Sequence, residues 1–311
     1  MVKKMTSIFA NMLMKQLEKQ RDYPFDLDKV NEVREGFEKM ISKVKPAKGV
    51  NLEEILIGNV QAEKYSLISK DSKNLKSLVL LYLPGGGYFM GSYKTHRAFV
   101  AKLCKEIGLQ AYSITYRHAP EHPYPAAVDD AFEAYKWLLE EESIPAENII
   151  IMGDSAGGGL ALCLLHRIGQ RNLPLPKAAL GLSAWTDLTM TSETLKTKAE
   201  EDPFFNVKNV EISAIAYIGE ESPKNPEISP LFADFEGWPP IFLQVGSREI
   251  LLNDTLTIAE KMKEQGVSIT VDVQEGMFHA FLILSTIPVI GKLIPEFKHA
   301  MKNVQMFVES L

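Results

Sequence analysis

Residues 149–165, IIIMGDSAGGGLALCLL, constrain the fold more than any other stretch of this chain. Four apolar residues, Ile149 to Met152, run directly into Gly153-Asp154-Ser155-Ala156-Gly157 and then into a second apolar run. A short, wholly apolar strand belongs inside a parallel sheet that is covered on both faces. Glycines on both sides of Ser155 let the backbone turn tightly from strand to helix, which pushes the serine hydroxyl out at the carboxyl end of the sheet. The helix that begins at the serine points its free N–H groups and its dipole at whatever that hydroxyl attacks. A serine there can also be a plain helix cap. Its place between strand and helix favours a nucleophile. Phosphate binding is disfavoured, because no lysine-serine or lysine-threonine pair follows the glycines. After Gly85-x-Gly87, Met90 stands where a dinucleotide fingerprint needs glycine.

Around this stretch, strands alternate with helices. Strands are expected at 53–57, 64–68, 75–83, 110–116, 149–152, 177–182, 240–246 and 268–273, the first two as an antiparallel edge pair whose turn opens with Gly58 and Asn59. Helices are expected at 95–107, 126–141, 155–170, 207–218, 253–265 and 295–311. This is the pattern of an α/β fold with a mostly parallel, doubly wound sheet of about eight strands. Residues 1–45 read as two amphipathic helices that precede any strand. In the first, Ile8, Phe9, Met12, Leu13 and Leu17 share one face; in the second, Val30, Val33, Phe37, Ile41 and Val44 recur at helical spacing. Residues 188–238 are too long for an ordinary connection and read as an inserted cap. The core is then 46–187 with 239–311.

Length and composition narrow the partners. At 311 residues the chain is ample for a substantial core, and a formal net charge of -6 argues against a nucleic-acid partner. Two cysteines, Cys104 and Cys163, cannot build a disulfide framework and fit a reducing cytoplasm. Asn11 interrupts the first apolar segment and no small-residue cleavage site follows, so a signal peptide is not expected. No window reaches the roughly 18 apolar residues of a membrane span. The apolar run at 281–290, FLILSTIPVI, either buries against the last helix or offers a subunit contact in a homo-oligomer.

Serine near neutral pH needs a positioned base, most often histidine. His96, His166 and His299 fall within helices, and His118 and His122 flank Ala119-Pro120-Glu121 in a turn. His279, in EGMFHAF, follows the last strand and so belongs at the same sheet edge as Ser155. It is the expected base. An orienting carboxylate is sought in VGSREILLND at 245–254, which completes a strand and its loop. Glu249 lies near the strand end. Asp254 falls where a helix N-cap would be, a sufficient structural reason for it, so Glu249 is favoured. An oxyanion needs backbone donors unobstructed by side chains, and Pro84-Gly85-Gly86-Gly87 after a strong strand is such a loop, with the Ala156 N–H as a further donor.

Taken together, GDSAGG at 153–158, YRHAPEHPYPAAVDD at 116–130, SAWTDLT at 183–189 and the His279 segment resemble the hormone-sensitive-lipase-like branch of the α/β-hydrolases, the bacterial acetyl esterase and carboxylesterase group. The resemblance runs from about residue 75 to the end of the sequence. It implies an α/β-hydrolase fold with a small helical cap. It also implies a catalytic triad in the order serine, acid, histidine, carried here by Ser155, Glu249 and His279. Gly86, Gly87 and Ala156 would form the oxyanion hole. No metal or organic cofactor is implied, and the substrate would be a short-chain, acetyl-like ester cleaved through an acyl-enzyme. Two positions depart from the pattern: Pro84 replaces the histidine that usually leads the glycine loop, and Glu249 replaces the commoner aspartate. The family also contains non-catalytic small-molecule receptors, and an amidase could use the same triad. Tyr88, Phe89, Phe204, Phe205, Phe278 and Phe281 are expected either to wall a small acyl pocket or to lie in the core.

Overall fold

The computed structural model of the chain describes residues 6–21, 26–41, 43–68 and 78–311. Two helices come first, α1 (Ile8–Arg21) and α2 (Val30–Ile41), followed by a hairpin of β1 (Val50–Ile57) and β2 (Val60–Leu67). Then come β3 (Val79–Leu83), α3 (Tyr93–Leu103), β4 (Gln110–Thr115), α4 (Ala126–Glu140), β5 (Ile149–Asp154), α5 (Ser155–Gln170) and β6 (Ala178–Leu182). The segment after β6 carries a single-turn α6 (Thr194–Thr197) and α7 (Val207–Ile218). The chain closes with β7 (Ile241–Gly246), α8 (Leu252–Glu264), β8 (Ile269–Gln274), a short α9 (Ile290–Leu293) and α10 (Pro295–Glu309).

The strands form one sheet in the order β1-β2-β4-β3-β5-β6-β7-β8. The pairs β1–β2 and β2–β4 are antiparallel, and every pair from β4 to β8 is parallel. The apolar strands at the centre explain this arrangement, because alternate residues enter two separate cores. Leu81, Leu83, Ile149 and Ile151 join one core, and Leu80, Tyr82, Ile150 and Met152 join the other. Each such aliphatic side chain contributes roughly 1.5–3 kcal/mol on full burial, so neither face of β3 or β5 can be left to water. Parallel strands also carry their following loops to one shared edge, where ligands bind in open α/β sheets.

Several expectations from the sequence are refined. The hairpin turn is only Gly58-Asn59, since Ile57 already pairs with Val60, so β2 begins four residues earlier than expected. Ser92 caps α3 through a reciprocal bond with Thr95, which starts that helix at Tyr93; Cys104–Gly108 at its end is wound more widely. Residues 75–77 of the expected third strand lie outside the described residues. The face expected for α1 does not turn inward as a whole. Ile8, Phe9 and Met12 are exposed, while Ala10 and Met14 are buried, with Leu13 and Leu17 packed beside them. A bond from the Ser7 N–H to Glu296 Oε1 at 2.7 Å ties the start of α1 to α10. In the run 281–290, Phe281 and Leu282 are buried and the Phe281 ring stacks on Phe297 of α10. Among the described residues, no helix is long and apolar enough to cross a membrane.

Candidate active site

Ser155 sits where β5 gives way to α5, with φ 51°, a left-handed conformation that non-glycine residues rarely adopt. Such a residue costs about 1–3 kcal/mol and persists only where the surroundings enforce it. The surroundings do so through close backbone approaches. A Cβ on Gly153 would fall 2.2 Å from the Gly157 carbonyl oxygen, and one on Gly157 would fall 2.0 Å from the Leu83 carbonyl oxygen. Ala156, the expected donor after the serine, is in the first turn of α5 and fully buried.

Glu249 and His279 are brought together. The loop after β7 carries Glu249 and the loop after β8 carries His279, and the two strands are parallel neighbours. His279 Nδ1 lies 3.1 Å from Glu249 Oε2, with the imidazole 2% and the carboxylate 0% exposed. The other carboxylate oxygen, Oε1, accepts from the Ser183 hydroxyl at 2.7 Å and from the Gly246 N–H at 2.5 Å. A carboxylate on Nδ1 fixes the histidine tautomer and orientation, leaving Nε2 basic, and favours the imidazolium once a proton arrives. The longer glutamate therefore reaches the ring. The phenyl rings of Phe205 and Phe204 lie 4.2 and 5.7 Å from the imidazole, centroid to centroid. Phe278 and Phe281, by contrast, belong to the core, and Tyr88 is fully buried.

Asp254 does not play the part expected of it. Leu251 is the N-terminal boundary residue of α8, and Asp254 is buried in the first turn. Its Oδ2 accepts the N–H groups of Asp187 at 3.1 Å and Thr186 at 3.3 Å, so it anchors the loop after β6 rather than capping its own helix. Burial and the nearby Asp187 carboxylate push its pKa up to about 7.

Ser183 carries no signal of its own in the sequence. Its hydroxyl donates to Glu249 and accepts the Ala280 N–H at 3.1 Å, spanning the acid and the residue after the histidine. Two residues on, the Trp185 N–H donates to the Ser155 carbonyl at 3.0 Å. The loop after β6 thus links the serine turn to the acid and histidine loops. The SAWTDLT string was the available signal, but it assigns no role to its first residue.

On the other flank, Gly86 and Gly87 follow β3 with φ 132° and 60°. Three contacts brace this loop in place of a leading histidine. The Tyr116 hydroxyl donates to the Pro84 carbonyl at 2.7 Å, and the Gly85 N–H donates to Asp154 Oδ1 at 2.9 Å. Arg34 Nε of α2 donates to the Phe89 carbonyl at 2.7 Å, while its guanidinium forks onto Glu121 at 2.7 and 2.8 Å. Hydrogen bonding to Arg34 holds the Glu121 carboxyl down at about 2. Asp154 is itself held by the Tyr82 hydroxyl at 2.6 Å and lies 3.3 Å from His96 Nε2. Burial alone would raise its pKa, but His96, Tyr82 and Gly85 outweigh it and keep the carboxyl below its ordinary value. An imidazole therefore does brace the loop, at one remove. Among the described residues, no group of three or more His, Cys, Asp or Glu is placed to hold a metal ion.

Known proteins resemble this chain in sequence and fold. The profile of the alpha/beta hydrolase fold family matches residues 80–283. An esterase of Acinetobacter venetianus is 35% identical over 234 residues, 75% of each chain. An acetyl-hydrolase of Streptomyces hygroscopicus is 33% identical over 227 residues, 73% of this chain and 74% of that one. The crystal structure of an esterase from the bacterial hormone-sensitive lipase family superposes with a TM-score of 0.88 at 31% identity, covering 98% of this chain and 99% of that one. The chain belongs to the alpha/beta-hydrolase-fold family, in its hormone-sensitive-lipase-like branch of carboxylic ester hydrolases.

Proposed function

We propose that the protein is a serine carboxylesterase that cleaves short-chain, acetyl-like esters through an acyl-enzyme. The observation that carries this reading is the buried Glu249–His279 pair, held at the same sheet edge as a left-handed Ser155. Ser155 Oγ attacks the ester carbonyl while His279 Nε2 takes its proton and hands it to the departing alcohol. Glu249 holds the imidazolium. The N–H groups of Gly86, Gly87 and Ala156 receive the oxyanion, and water, activated by the same histidine, releases the acid.

The segments 1–45 and 188–238 form the cap in this reading. Arg34 on the glycine loop and Phe204 and Phe205 beside His279 support it, and an aromatic wall so close to the base favours a small acyl or alcohol group. The activity of the Streptomyces acetyl-hydrolase agrees with a short acyl chain. The two free, buried thiols, Cys104 and Cys163, suit a reducing cytoplasm. A p-nitrophenyl ester series from acetate to palmitate tests the proposal. Turnover is expected to peak at two to four acyl carbons and to fall by about 10⁴-fold or more in Ser155→Ala. A peak on long chains removes the acyl preference, and a serine variant with near-normal rates removes the mechanism.

A further inference from the structure

One buried carboxylate joins the segment 188–238 to the acid–histidine pair. Asp202 is 0% exposed. Its Oδ2 accepts the Ile250 N–H at 2.9 Å, and Ile250 directly follows Glu249. Its Oδ1 accepts the N–H groups of Phe204 at 2.8 Å and Phe205 at 3.2 Å, the two residues whose rings lie beside His279. The same segment also grips the next peptide along, through the Ile250 carbonyl. The Thr194 hydroxyl donates to the Ile250 carbonyl at 2.6 Å and accepts the Asn253 N–H at 3.1 Å. A carboxylate placed in a dry interior carries a desolvation penalty, which is tolerated when several donors converge on it. Here three backbone N–H groups converge, one from the acid loop and two from the aromatic turn.

We infer that Asp202 is a positioning residue that makes the alignment of Glu249 and the aromatic cover of His279 one event, so that the acid–histidine pair is competent only when 188–238 is seated. The inference rests on the serine-esterase reading above. Without the carboxylate, the Ile250 peptide loses its N–H partner, and Glu249 gains freedom relative to the ring 3.1 Å away. The turn at Phe204 and Phe205 is freed in the same step, and water gains access to the imidazole. Asp202 also faces the reacting histidine electrostatically. Burial raises its pKa, and the Ile250 N–H and His279 oppose that rise. Other charges around it are fixed by their own partners. Arg21 of α1 donates to the Asp202 carbonyl at 3.4 Å and lies 3.7 Å from Glu200. Arg248 donates to the Glu201 carbonyl at 3.2 Å, and Lys198 pairs with Glu201 at 3.1 Å. The Glu249 carboxylate adds to the rise electrostatically.

The test is kcat and KM for p-nitrophenyl acetate between pH 5 and 9, measured on the full chain as wild type, Asp202→Ala and Asp202→Asn, with Ser155→Ala as the blank. For Asp202→Ala the expected result is a fall in kcat of about 30-fold with KM within about threefold. Asp202→Asn keeps an acceptor oxygen but no charge, so kcat should fall less. The rising limb of kcat/KM against pH should move to lower pH, because Asp202→Asn removes a negative charge that faces His279. A folded variant with wild-type kcat, or a loss confined to KM with an unmoved pH profile, overturns the inference. Should Asp202→Ala not fold, Asp202→Asn alone decides. Wild-type protein with no Ser155-dependent hydrolysis would instead overturn the esterase reading and this inference with it, a result distinct from an active wild type matched by its Asp202 variants.

Discussion

Two buried carboxylates at the carboxyl edge of the sheet have matching sets of partners. Asp154 meets the Tyr82 hydroxyl, the Gly85 N–H and the His96 imidazole; Glu249 meets the Ser183 hydroxyl, the Gly246 N–H and the His279 imidazole. The two sites differ at the far side of each ring. His96 is in α3, and its Nδ1 lies 2.9 Å from the Thr95 hydroxyl, so both of its nitrogens face protein partners. His279 is in a loop, meets its carboxylate through Nδ1, and in our reading keeps Nε2 for Ser155. A carboxylate–imidazole pair is therefore no signature of catalysis in itself. One such pair stiffens a strand end, and in our reading the other serves as the acid–base device because its second nitrogen turns to the serine.

Removing each carboxylate in turn should separate the two roles. Glu249→Gln keeps the shape and the acceptor for Ser183 and Gly246 but cannot support an imidazolium, so kcat on p-nitrophenyl acetate should drop by about 10³-fold or more with little change in thermal midpoint. Asp154→Asn should show the reverse weighting. Its kcat falls only about tenfold, through a loosened glycine loop, while the unfolding midpoint drops by several degrees. Equal kinetic losses in the two variants would erase the distinction. A finer probe is Arg34→Ala, which releases the Phe89 carbonyl and Glu121. It should lower kcat/KM by about three- to tenfold, and an unchanged value would detach α2 from the glycine loop.

The smallest effect belongs to a third carboxylate, Asp254, which has no histidine at all. Its pKa rises from an ordinary 3.8 to about 7 in the folded protein, so between those values the native state holds a proton that the unfolded chain releases. Stability contributed by this group is therefore lost as pH climbs through that window. Asp254→Asn is expected to raise the melting temperature by a few degrees at pH 8 and to leave it unchanged at pH 5, with esterase rates near wild type. A variant equally stabilised at both pH values would contradict the raised pKa.

The contrast also explains what could be read from the sequence. The strand–serine–helix unit was legible because an apolar run, two glycines and a helix start lie within a few consecutive residues, and α7 (Val207–Ile218) was legible from its own periodicity. Glu249 and His279 stand out in the sequence because each follows an expected strand whose loop must reach the same sheet edge, and the structure sets the two side chains 3.1 Å apart. Arg34, His96, Ser183 and Asp202 were not found. Their partners lie 48 to 66 residues away in sequence for Asp202–Ile250, Arg34–Phe89 and Ser183–Glu249, and no local pattern encodes such a meeting. His96 in particular reads as an ordinary helical residue until β3 and β5 bring Asp154 against it. The outward turn of Ile8, Phe9 and Met12 was missed for the same reason, since periodicity defines a face but not the direction in which it looks.

The crowding of backbone around the serine turn bears on how the protein can change. Any side chain larger than hydrogen at Gly153 or Gly157 collides with a main-chain oxygen that cannot step aside, and Gly159 meets the Trp185 carbonyl in the same way at 2.1 Å. Drift and laboratory selection alike are thus barred from the turn itself. The Phe204 ring, 39% exposed at its place beside Phe205 and His279, has room to vary. New substrate ranges should therefore arise by mutation there first, so a library aimed at 204–205 will return more active variants than one aimed at the glycines.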